Sequence, residues 1–223
     1  WNPTDIFVRT YDKKKEFTKS FAFRMKTDSE KKLTRNTGFY ERTSKLTRNF
    51  VDARGFWLPN DYTKHGVTNE YTACREKAVM IDLSSLRKFE ILGPDSEELM
   101  NYTLTRNIKK LSVGQIVYSA MCYENGTMFD DGTLLKLSET GFRWVCGDEY
   151  AGEWLKEQAK KKNLKVVIKN STDQINNLSV QGPNSRKILE KIIFTPPTQP
   201  TISELQWFRF TICRLEKLNG IPL

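Results

Sequence analysis

Between Tyr118 and Leu137 the chain reads as two runs of strand-forming residues joined through Glu124-Asn125-Gly126. Asn-Gly tolerates positive φ at little cost, so this stretch predicts an antiparallel hairpin. The second run opens on Phe129-Asp130-Asp131-Gly132. Successive strand residues point to opposite faces, so the two aspartates cannot share one. One carboxylate turns inward, where it needs a partner or a chemical task.

The neighbouring segments extend that hairpin into a sheet. Gln115 to Tyr123, Phe129 to Leu137 and Gly141 to Cys146 predict three strands in succession, and Arg87 to Leu92 alternates polar and apolar residues as a half-buried strand does. Gly93-Pro94-Asp95 stops that strand and starts a helix, with Glu97 and Glu98 near its positive end and Leu99 inward. Residues 148–162 predict an amphipathic helix with Trp154, Leu155 and Ala159 inward. A second strand, Gly-Pro-Asx, helix sequence runs through Ile175 to Val180 and Gly182-Pro183-Asn184, and its helix is expected to bury Ile188, Leu189 and Ile192. Shared turn chemistry explains the echo, with Gly permitting an unusual φ, Pro presetting the helix start and the Asx side chain taking free N–H groups. Further expectations are a helix over Val67 to Met80, a strand over Leu164 to Ile168, a stiff connector at Thr195 to Pro200, and a final strand over Leu205 to Leu215. Helices interrupt mostly adjacent strands, so the fold class is α+β.

Composition narrows the function classes. With 223 residues, 38% of them hydrophobic, the chain can bury a substantial core in one large or two small domains. No run approaches a membrane span, and the start, at Trp1, has no signal-peptide order. Cys74, Cys122, Cys146 and Cys213 are scattered through apolar runs, and His65 is the single histidine. That pattern argues against a zinc site or a disulfide framework and for a reducing, cytoplasmic location. The net charge of +9 concentrates near the start. Between Arg9 and Arg54 basic residues outnumber acidic ones roughly two to one. Residues 1–45 therefore read as a basic N-terminal extension and 46–223 as the folded domain. Phe17, Phe21, Phe23, Phe39 and Tyr40 are interleaved with the basic residues but follow no nucleic-acid module, so a nucleic-acid partner is not expected.

In order along the chain, Arg75-Glu-Lys-Ala-Val-Met-Ile-Asp-Leu-Ser84, Gly93-Pro94, Gly114-Gln-Ile-Val-Tyr118-Ser, Glu124-Asn-Gly126, Asp130-Asp131, Thr172-Asp-Gln and Val180-Gln-Gly-Pro183 resemble the aminomethyltransferase family. That family includes the glycine cleavage T-protein and the folate-binding portions of dimethylglycine and sarcosine oxidases and dehydrogenases. The likeness covers residues 50 to 223, and Asp-Asp-Gly resembles the sarcosine oxidase and demethylase branches. It implies the N-terminal part of a three-domain cloverleaf with tetrahydrofolate as cofactor and one-carbon acceptor at N5. The family's Arg-Thr-Gly-Tyr-Thr-Gly-Glu segment and its C-terminal barrel domain are expected to be missing from this stretch.

The resemblance also assigns site residues. Asp131 would be the catalytic carboxylate that approaches the folate, and Asp130 its structural neighbour. Tyr118, Leu86 and Val145 would line the folate, with no metal. The T-protein often has Val-Asn where this chain has Val145-Cys146, a departure that bears on the donor. Cys146 has no neighbouring histidine to activate it as a nucleophile. The implied activity is transfer of a one-carbon unit from a small amine or methylated donor, or from a lipoyl carrier protein, to tetrahydrofolate. The alternatives are a folate-dependent demethylase and a non-enzymatic folate-binding protein related to iron–sulfur assembly factors.

Overall fold

The computed structural model describes residues 34–223. Most of the basic extension, including Phe17, Phe21 and Phe23, lies outside the described residues. Its last part, which the sequence reading grouped with the extension, contributes strand β1 (Arg35–Asn36) and helix α1 (Tyr40–Thr43). β1 runs parallel to β3 (Phe56–Pro59), whose other edge pairs with β2 (Phe50–Ala53).

The large sheet is fully antiparallel, in the order β6-β7-β8-β5-β9, from Ile116–Cys122, Met128–Ser138, Gly141–Cys146, Arg87–Leu92 and Val167–Asn170 respectively. Helices α3 (Ser96–Thr103) and α4 (Tyr150–Lys161) pack on one face. There Ile91, Leu99, Met100, Met121, Leu134, Phe142, Trp144 and Leu155 are fully buried. Each large side chain removed from water contributes about 1.5–3 kcal/mol, so this face anchors the domain. The β6–β7 turn forms at Asn125-Gly126, closed by the Gly126 N–H on the Tyr123 carbonyl at 2.9 Å.

The first Gly-Pro-Asx turn follows β5 as the sequence predicts, but the Asx side chain has a different task. Asp95 makes no side-chain cap on α3; its carboxylate accepts the Lys165 N–H at 2.7 Å and ties the chain entering β9 to the helix start. Gly93 is required there twice over. Its φ is +131°, and a Cβ would lie 2.5 Å from the Lys165 carbonyl oxygen.

Several expectations change; the strand expected over Leu164 to Ile168, for one, begins only at Val167 and runs on to Asn170. The helix expected over Val67 to Met80 is α2 (Gly66–Glu76), and β4 (Val79–Asp82) follows it because the Val79 to Asp82 backbone pairs with β10 (Leu178–Gln181). In α5 (Ser185–Ile192), Ile188 and Ile192 remain exposed at 43% and 40%, since no described element covers that apolar stripe. The final strand shrinks to β12 (Arg214–Leu215), paired with β11 (Ile193–Phe194). Phe208 adopts φ +53°, which breaks an extended run, and residues 208–210 instead cap the start of β6 through Ile116 N–H to Phe208 O and Phe210 N–H to Gly114 O.

Candidate functional site

The site grows out of Asp130-Asp131-Gly132, at the start of β7. The register jumps from Met121 opposite Asp130 to Cys122 opposite Met128, leaving Phe129 as a bulge that ends the regular ladder beside the two acids. From there the pleat sends Asp130 to the helix-covered face and Asp131 to the open one.

Asp130 is buried, and its carboxylate is fully employed. Oδ1 accepts the N–H groups of Asp131 at 2.9 Å and Gly147 at 3.2 Å, and Oδ2 accepts that of Asp148 at 3.0 Å. It thereby binds the start of β7 to the turn between β8 and α4. Gly132 completes the arrangement by its bareness: a Cβ there would fall 2.2 Å from the Val145 carbonyl oxygen. Without a side chain, β7 and β8 lie close together over Trp144.

Asp131 is exposed, and its Oδ2 accepts a hydrogen bond from the Tyr118 hydroxyl across the β6–β7 pair. That bond to the carboxylate raises the pKa of Tyr118, with desolvation adding to it, so the phenol stays protonated and donating. Tyr118 is 48% exposed on the same open face. Its register partner is Thr133, whose partner in turn is Val145, whose partner on the far side is Lys88. Leu86, half-buried, lies two residues before Lys88, in the turn that leads into β5. The structure therefore brings Tyr118, Asp131 and Val145 to one side of one sheet, with Leu86 at its margin.

Sequence reasoning missed the supports beneath this face. Arg54, at the β2–β3 turn with φ +54°, donates from Nε to the Gly147 carbonyl at 2.9 Å. Arg87 Nη2 donates to the Arg54 carbonyl at 3.0 Å and lies 3.5 Å from Glu149. Gly147 is thus held through its N–H by Asp130 and through its carbonyl by Arg54. A cavity of about 460 Å³ is lined by Arg54, Arg87, Phe129, Asp130 and residues 147–149. The one sequence signal was Asp52-Ala-Arg-Gly55, which reads as a tight turn offering an arginine at its tip.

Cysteine chemistry has no place here. The four cysteines are free, and burial, together with the Asp130 carboxylate, pushes the Cys146 thiol well above its ordinary range. Among the described residues no group of His, Cys, Asp and Glu could hold a metal ion, and no helix is long and apolar enough to cross a membrane.

The chain and its fold have counterparts among known proteins. A family model described as the GCVT N-terminal domain matches residues 39–222, and the chain belongs to that family. Among relatives, it is 51% identical over 223 residues to the trimethylamine-oxide aldolase of Ruegeria pomeroyi, spanning 100% of this chain and 28% of that protein. It is 33% identical over 178 residues to the aminomethyltransferase of Thermosipho melanesiensis, spanning 78% of this chain and 47% of the relative. The crystal structure of glycine cleavage system aminomethyltransferase T from Bartonella henselae shares the fold, with a TM-score of 0.66 and 24% identity over 79% of this chain and 46% of that one. The α+β fold class and the family are therefore those the sequence reading expected. The chain spans less than half the length of these proteins.

Proposed function

We propose that this chain supplies the folate-facing surface of a tetrahydrofolate-dependent one-carbon transferase, with Asp131 as the working carboxylate. The observation that carries the reading is the Asp131–Tyr118 pair, held exposed on an open sheet face while Asp130 is locked away.

The residues fit such a ligand. A flat, partly apolar ring system with polar edges needs an aromatic or aliphatic surface and a few directed polar groups. Tyr118, Val145 and Leu86 provide the first, and Asp131 and the Tyr118 hydroxyl the second. Tetrahydrofolate, when bound, supplies a nucleophilic ring nitrogen that accepts the one-carbon unit. Asp131 would hold or remove the proton that this nitrogen sheds and stabilise positive charge near it. Tyr118, kept protonated by Asp131, fixes the carboxylate's orientation through its hydrogen bond to Oδ2.

A methylated amine is the favoured donor over a lipoyl-bound aminomethyl group. The likeness to the trimethylamine-oxide aldolase runs over 100% of the chain, whereas the aminomethyltransferases match 71–84% of it. The departure at Val145-Cys146 from the T-protein pattern points the same way. A cytoplasmic location suits a reaction with reduced folate and the free cysteines.

The test is Asp131→Asn in the full-length protein, assayed for transfer to tetrahydrofolate from a panel of methylated amines and the aminomethyl-lipoyl carrier. Turnover is expected to fall by at least about tenfold, with folate affinity changed much less. Unchanged turnover would remove Asp131 from the chemistry.

A further inference from the structure

Lys88 is a lysine with 1% of its surface exposed, set in β5 and opposite Val145 in register. A buried ammonium ordinarily finds a carboxylate, as Lys136 does with Glu97 at 2.8 Å. Lys88 has no carboxylate at ion-pair distance among the described residues. Its Nζ donates instead to two backbone carbonyls of one short turn, Ser84 O at 2.8 Å and Leu86 O at 2.9 Å.

That turn is the one that carries Leu86, and it is held at both ends. Leu86 N–H returns to Leu83 O at 3.0 Å. The Ser84 N–H donates to Asp82 Oδ1 at 2.9 Å, while Asp82 Oδ2 accepts the Thr37 hydroxyl at 2.6 Å. Asn177 N–H donates to Ser84 Oγ at 3.0 Å. Those contacts hold the beginning of the turn. Lys88 holds its end, at the Leu86 peptide itself.

The desolvation cost of this placement is evident in the side chain's own basicity. Burial lowers its pKa to about 8, with Asp82 and Asp173 partly opposing the shift and Arg87 and Arg143 adding to it. A buried charge is weak evidence of bulk stabilisation, and what this one does geometrically is tie two carbonyls of the turn to β5.

We propose that Lys88 is a positioning residue for the folate site, fixing the Ser84–Leu86 turn so that Leu86 meets the bound ring beside the Tyr118–Thr133–Val145 row. The inference rests on the folate reading above. It predicts that Lys88 acts through Leu86 and on binding rather than on the chemical step.

The experiment is titration of the full-length protein with tetrahydrofolate, together with steady-state kinetics, for wild type, Lys88→Met, Leu86→Ala and the double variant. Lys88→Met is expected to weaken folate binding at least about fivefold while kcat at saturating folate changes less than about twofold. The double variant is expected to bind no worse than the weaker single variant, because both substitutions remove the same contact. Multiplicative losses in the double variant, or unaltered binding by Lys88→Met, would overturn the proposal. If Lys88→Met does not fold, Lys88→Gln, which keeps a shorter neutral donor, gives the same comparison. A wild-type protein that fails to bind tetrahydrofolate would sink the folate reading itself, whereas a binding wild type with additive variants sinks this inference alone.

Discussion

At the scale of single residues, Asp130 and Asp131 divide two tasks that neighbouring carboxylates could otherwise share. Asp130 satisfies three backbone N–H groups of the Asp131 peptide and the β8–α4 turn, so it is a strut. Replacing it by Asn turns one acceptor oxygen into a donor facing N–H groups. Asp130→Asn should therefore destabilise the fold by about 2–3 kcal/mol in urea denaturation, since a buried mispaired group costs about that much. A stability within 0.5 kcal/mol of wild type would show that the strut is dispensable. The pleat made it legible in the sequence that the two acids part company. Which partners receive the inward one was not, because Gly147 and Asp148 act through their backbones and lie far along the chain. Lys88 was illegible for a related reason: in Arg87-Lys-Phe-Glu-Ile-Leu92 it occupies a polar position of the alternation, which reads as solvent.

At the scale of elements, local chemistry foretold what is locally determined. The Asn-Gly hairpin, the helix after Gly93-Pro94 and the amphipathic α4 all appear where turn residues and the 3.6-residue period put them. The departures come where tertiary pairing decides. Val79 and Met80, the start of β4, were read as the end of a helix, because Ala78 and Val79 extend its apolar face and only the distant β10 recruits Val79 and Met80 into a ladder. The stripe on α5 has helical period, yet periodicity cannot say what will cover it. Gly93 tests how firmly an element junction depends on one residue. Gly93→Ala must adopt φ +131° and place a Cβ 2.5 Å from the Lys165 carbonyl, so the β5–α3 junction and the approach to β9 are strained together. A loss of at least about 2 kcal/mol, read from the denaturation midpoint, is expected. A loss below about 0.5 kcal/mol would mean that the junction yields without strain.

At the scale of the whole molecule, one face of the large sheet is given to packing and the other to the site, and Lys88 is the place where they conflict. It is a charge buried for the sake of the open face, so its cost falls on the stability of the fold. The sign follows from the protons bound. In the folded protein Lys88 has a pKa of about 8, below its ordinary 10.5, so between those values the unfolded chain holds more protons than the folded one. The cost of the buried ammonium is therefore felt in full below about pH 8 and is relieved as the pH rises toward 10.5. Lys88→Met has no such group, so the difference between the two proteins reports the titration of Lys88 and its coupling to neighbouring charges. Wild type should gain on Lys88→Met as the pH climbs through this window, by at most about 1.4 kcal/mol per pH unit. Denaturation midpoints of both proteins at pH 7, 8, 9 and 10 would measure the gain. Two parallel stability profiles would mean that Lys88 ionises as an ordinary lysine, with no burial cost for the turn to justify.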